Sequence, residues 1–171
     1  MAEDALDFPA LRAVLQDLAA DIRAGYVDQL TVDDHIASGD LVNTMKVEVR
    51  DGDNAFSVVM DVNKYWKYLE EGISPAGRYG NPGWKAYPFI RKWIDVKPVI
   101  PRPGPDGRLP SPEQLAFLIT RKIVEEGTTP SRDLEKTKDK IIPSYQARIR
   151  AAIVEDLRST VILKVLPSLL T

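Results

Sequence analysis

The stretch Met45-Lys46-Val47-Glu48-Val49-Arg50-Asp51-Gly52-Asp53-Asn54-Ala55-Phe56-Ser57-Val58-Val59-Met60-Asp61-Val62 decides the fold class. Two strand-like runs, Met45 to Arg50 and Ala55 to Val62, flank a polar turn, which predicts a β-hairpin. Val47 and Val49 alternate with Lys46, Glu48 and Arg50, so one face is buried and the other wet. Asp51-Gly52-Asp53-Asn54 superficially has the look of a calcium loop. The bidentate Glu and the remaining ligands of such a loop are missing downstream, and Asp-Gly is the usual chemistry of a tight hairpin. No metal is assigned to it.

Upstream, the period changes from 2 to 3.6. Leu11, Val14, Leu15, Leu18, Ile22 and Tyr26 predict an amphipathic helix from Pro9 to about Leu30, with Asp7 placed to cap it. Ser38-Gly39-Asp40 marks a turn or short cap before the hairpin. Downstream, Lys64 to Glu71 predicts one or two helical turns ending at Gly72, and Ser74 to Tyr87 a loop. Pro88 to Lys97 predicts a short helix with Phe89, Ile90, Trp93 and Ile94 on one face. From Pro98 to Pro112 the chain has six prolines and two glycines, which predicts an extended, polyproline-like projecting arm.

Ser111-Pro112-Glu113-Gln114 has the form of a capping box opening a helix to Glu126, with Leu115, Leu118, Ile119 and Ile123 as its buried stripe and Gly127 as its stop. Ile141, Tyr145, Ile149 and Ile153, each four residues after the last, predict a further helix over about Arg132 to Leu157, kinked or broken at Pro143. The β-branched run Thr160 to Leu166 predicts a third strand, with a continued helix as the competing reading. Together these elements predict an α/β (α+β) fold in one domain over residues 1–171. A small antiparallel sheet containing the hairpin packs against the N-terminal helix and C-terminal helices, the helix from Ser111 among them.

Composition narrows the function. The chain has 171 residues, 44% of them hydrophobic, enough for one domain with a core. Lys plus Arg total 23 against 25 Asp plus Glu, so a generally basic nucleic-acid binder is not indicated. The charge is nonetheless uneven: residues 1–59 hold 4 basic and 12 acidic side chains, and residues 60–171 hold 19 and 13. That asymmetry predicts faces of opposite potential suited to head-to-tail contacts. With no cysteine, thiol nucleophiles, disulfides and iron-sulfur ligation are excluded.

The acidic start, with Glu3, Asp4 and Asp7, does not read as a secretory signal. The run Val161 to Leu170 is interrupted by Lys164 and Pro167 and is too short for a membrane span, so no membrane partner is expected. His35 is the only histidine. No elbow-type Ser accompanies it, so it is expected to have no catalytic or metal partners and to be dispensable. Neither G-x-x-x-x-G-K-[ST] nor G-x-G-x-x-G occurs. No catalytic residue, cofactor or metal is assigned, and the chain does not read as an enzyme.

Tyr65, Trp66, Tyr68, Trp84, Tyr87, Phe89 and Trp93 are interleaved with Lys64, Lys67, Lys85, Arg91 and Lys92. Core packing, a protein interface and stacking on single-stranded nucleic acid all fit that pattern. The alternative function is therefore a nucleic-acid-associated binding module using segment 64–93.

The order of features carries a resemblance. A first helix leads to Ser38-Gly39-Asp40-Leu41-Val42-Asn43-Thr44 and a hairpin. There follow Tyr65-Trp66-Lys67-Tyr68-Leu69-Glu70-Glu71-Gly72, a Gly-rich loop, and Pro88-Phe89-Ile90-Arg91-Lys92-Trp93-Ile94. A Pro-rich insertion then precedes a helix ending in Glu125-Glu126-Gly127-Thr128. Over about residues 10–160 this resembles the neck and tail-completion proteins of tailed bacteriophages, structural virion proteins of the head-tail junction. The resemblance implies a ring homo-oligomer, six-fold, made in the host cytoplasm. It would join the portal-connector side to the tail, touch adjacent connector and tail proteins, and surround DNA without sequence-specific binding. Within that reading, Trp84, Tyr87, Arg102, Pro103 and Arg108 are the expected partner-interface residues.

Overall fold

A computed structural model describes residues 8–52, 55–75, 83–97, 99–105 and 107–164, with the side chains of 83–84 and 160–164 left outside the description. Along the chain run α1 (Pro9–Val32), α2 (Asp40–Thr44), β1 (Lys46–Asp51), β2 (Phe56–Asp61), α3 (Tyr65–Glu71), a short 3-10 helix (Gly83–Ala86), α4 (Tyr87–Val96), α5 (Pro112–Glu126) and α6 (Asp133–Lys164). The fold is α+β, with helices and a two-stranded antiparallel sheet. The chain divides into two compact units, one of Met1–Gln29, Lys46–Asp61 and Leu134–Thr171, the other of Leu30–Met45 and Val62–Asp133. Among the described residues no helix is long and apolar enough to cross a membrane.

In the first unit the hairpin forms as its alternation predicts. Val47 faces Met60 and Val49 faces Val58, while Lys46, Glu48 and Arg50 stay exposed. Gly52 N–H closes the turn by donating to the Ala55 carbonyl at 2.8 Å; Asp53 and Asn54 lie outside the described residues. Val58 and Met60 pack against Leu18 and Ile22 of α1 and Tyr145 of α6, with Val14, Leu15, Leu134, Ile141 and Ile149 around them. The helical stripes read from the sequence are thus the core. Two polar ties run along the same helix pair: Tyr145 donates to Asp21 at 2.5 Å, and Arg148 donates to Asp17 at 2.5 Å. The hydrogen bond to Asp21 holds the Tyr145 proton on, above the usual tyrosine range.

Asp7, the expected cap of α1, lies outside the described residues. The acceptor seen there is Asp156 of α6. It is 2% exposed, and its two carboxylate oxygens take the Ala10 and Leu11 N–H groups at 3.0 and 2.8 Å. A buried anion thus meets the donor-rich end of a helix, where both hydrogen bonding and the helix dipole favour it.

Of the kink or break expected at Pro143, the break does not occur, since the last helix is continuous there. The strand expected at Thr160 to Leu166 is corrected: the chain is helix through Lys164, with the residues beyond outside the description. Proline costs about 3 kcal/mol inside a helix. Here Ile141 precedes it and Tyr145 and Ile149 follow it on the same packed stripe, so the core holds both sides in one helix. At residue 160 each further helical residue adds a hydrogen bond to an existing helix, which outweighs the weak β preference of Thr160, Val161 and Ile162.

The second unit holds α2 to α5. The helix at Ser111, expected on the sheet, belongs to this unit. Its start is as predicted: Ser111 Oγ accepts from Gln114 N at 3.3 Å and Gln114 Oε1 accepts from Ser111 N at 2.9 Å. Replacing Ser111 with Ala is expected to cost about 1 kcal/mol, read as a shifted urea midpoint at unchanged slope. The buried stripe, however, is Ala116, Thr120 and Val124, with Leu118 left 49% exposed. Small side chains let neighbouring elements approach closely, and Thr120 satisfies its hydroxyl on the Ala116 carbonyl at 2.7 Å.

The ends of α3 and α5 carry the same pattern, Glu-Glu-Gly followed by one residue, a hydroxyl residue and Pro, and they meet. Thr128 N–H donates to the Ile73 carbonyl at 2.8 Å and Ile73 N–H to Thr128 Oγ1 at 2.9 Å. Gly72 (φ 71°, ψ −175°) and Gly127 (φ 78°, ψ −169°) both hold a backbone region open essentially to glycine alone.

Candidate functional site

The Pro-rich arm doubles back. Gly107 N–H donates to the Gly104 carbonyl and Gly104 N–H to the Arg108 carbonyl, both at 2.9 Å, with Gly107 at φ 74°. These two bonds close a hairpin turn between Gly104 and Arg108; Asp106 lies outside the described residues. The expectation of one extended arm therefore holds only for its limbs.

The returning limb lies along the first turns of α5. Arg102, Gly104, Arg108, Leu109 and Pro110 line a shallow groove with Glu113, Gln114, Phe117 and Leu118. Leu109, Phe117 and Leu118 are 62%, 47% and 49% exposed. Arg91 of α4 braces the groove by donating to Glu113 at 3.0 Å, and also pairs with Asp95. Backbone donation at Glu113 itself, then Arg91 and Ser111, hold the Glu113 carboxyl below the usual carboxylate range.

Of the expected interface residues, Arg102 and Arg108 converge on this groove, and Pro103 is exposed on the same limb. Tyr87 starts α4, half-buried, away from the groove lining; Trp84 sits in the 3-10 helix with its side chain outside the described residues. Leu118 was hidden from sequence reading because its spacing also fits a buried stripe, and Phe117, outside that stripe, because nothing local marks it as lining a groove.

The aromatic and basic segment divides. Tyr65, Tyr68 and Phe89 are exposed, whereas Trp66, Tyr87 and Trp93 are half-buried. The charge asymmetry along the sequence is largely erased by folding, because basic α6 joins the acidic N-terminal segment. The first unit has 11 basic and 14 acidic side chains and the second 12 and 11. The two units thus differ less in net charge than the two parts of the sequence do.

His35, expected to have no catalytic or metal partners, has a hydrogen-bonding partner in Asp133. Helix α1 ends with Asp34 N–H donating to Thr31 O at 3.2 Å and His35 N–H to Leu30 O at 2.9 Å, a two-bond helix stop with Asp34 left-handed at φ 54°. Lys97 holds that turn through the Asp34 carboxylate at 2.8 Å. His35 Nδ1 thereby lies 2.6 Å from Oδ2 of Asp133, which is 0% exposed, and Asp33 joins them. Asp133 is 98 residues away in sequence, so no local motif reveals the pairing. Comparison with known proteins gives no matching family model, no matching curated relative and no matching solved structure.

Proposed function

We propose that the chain is a structural subunit of the head-tail junction of a tailed bacteriophage, a neck or tail-completion protein assembling as a six-fold ring around the DNA channel. The observation that carries this reading is the groove between the arm and α5. Leu109, Phe117 and Leu118 stand exposed beside Arg102, the mixture of apolar and guanidinium groups found in protein contacts. Ring contacts pair one surface with a different one, so a preformed projecting arm suits them. It also loses less conformational entropy on docking than a flexible loop. The resemblance adds the Glu-Glu-Gly helix ends and the Pro-x-x-x-x-Trp-Ile helix, which here frame the arm.

Electron micrographs and solution mass of the purified protein are expected to show rings. Replacing Pro101–Gly107 by Gly-Ser is expected to leave circular dichroism and the thermal melt within about 1 kcal/mol of the parent, since surface loops tolerate length change. Ring formation should be lost. Rings formed equally well by the shortened protein would count against the arm as the contact. Exposed Tyr65 and Tyr68 beside Lys64 and Lys67 favour the second reading, a nucleic-acid module. Steeply salt-dependent retention of single-stranded DNA by a ring-less protein would support it.

A further inference from the structure

We infer that Asp33, His35 and Asp133 form a binding site for a divalent first-row transition ion, with zinc as the best match. The three side chains offer one imidazole nitrogen and two carboxylate oxygens, all within 4.8 Å of one another. That donor set is of intermediate hardness, suited to Zn²⁺ or Co²⁺, and three protein ligands leave a position for water.

The ligands come from rigid backbone. Asp33 and His35 flank Asp34, which is fixed by the helix stop of α1 and by Lys97; Asp133 is the first residue of α6. Among the described residues the two non-glycines with left-handed backbone are Asp34 and Arg132, and each directly adjoins a ligand. Such conformations persist where the surroundings enforce them, and they gather at sites that need a set geometry.

His35 Nδ1 and Asp133 Oδ2 already lie 2.6 Å apart, so two of the three donor atoms are brought together without the ion. On binding, the imidazole nitrogen and the carboxylate oxygens each donate a lone pair to it. Tetrahedral ligand distances of about 2.0 to 2.2 Å require the pair to open by about 0.7 Å. Lys97, at the same turn, is engaged by the Asp34 carboxylate at 2.8 Å.

The test uses tag-free full-length protein stripped with chelator. Zn²⁺ titration by calorimetry is expected to give one site per chain, and Co²⁺ to give visible d-d absorption. At about a hundredfold excess over Kd the melting temperature should rise by roughly 5 °C or more. His35→Gln keeps a hydrogen-bonding side chain at a partly exposed position, so it should fold while losing at least about tenfold in affinity. Asp33→Asn provides a second, independently folded test with the same expected loss. An ion-free parent, or equal binding by parent and His35→Gln, would overturn the site and leave the His35–Asp133 contact as a plain ion pair.

Discussion

Gly127→Ala is expected to destabilise the protein by about 3 kcal/mol or more, a drop of roughly 6–12 °C in melting temperature. A Cβ there would lie 2.3 Å from the Ile73 carbonyl oxygen and 3.0 Å from Pro75 Cδ, against backbone that cannot move without breaking the Ile73–Thr128 bridge. The positive φ adds conformational strain whatever the space. Gly72→Ala should behave alike, because its Cβ would meet the Thr128 carbonyl oxygen at 2.3 Å and Pro130 N at 3.0 Å. A cost below 1 kcal/mol for both, by urea melts at unchanged slope, would show that the bridge does not anchor the ends of α3 and α5.

Asp156→Ala should cost about 2–4 kcal/mol. It removes a buried carboxylate that satisfies two N–H groups at the start of α1, and it leaves those donors without that acceptor in a site water reaches poorly. Asn at the same position keeps one carbonyl acceptor and is expected to recover about half of the loss. Amide exchange at Ala10 and Leu11 should quicken in the Ala variant. Unchanged protection there would mean that another group caps the helix.

What the sequence revealed was local. The hairpin, the Ser111 capping box and the α1 stripe each rest on signals within a few residues: alternation, a cap with its Gln three positions on, and 3.6 periodicity. What it hid depends on partners distant in the chain. Asp156 reaches Ala10 across 146 positions, and Asp133 reaches His35 across 98. Pro143 read as a breaker because the cost of a proline is visible in one residue, whereas the packing that overrides it comes from α1. The turn between Gly104 and Arg108 was hidden by the proline density around it. Among the residues lining the groove, Arg102 and Arg108 stood out by charge, while Phe117 and Leu118 needed the observed rotation of α5.

The division of the chain also fixes an order of completion during synthesis. The second unit has all its segments once Asp133 has been made. The first, although it holds the N-terminus, lacks Tyr145 and Ile149 until α6 follows. At about 5–20 residues per second, Val58 and Met60 therefore wait several seconds or more after their own translation before their last neighbours emerge from the ribosome. During that interval the valines of β1 and β2 offer an open apolar face to other nascent chains. Yield should thus respond to translation speed and chaperone supply more than the finished fold would suggest.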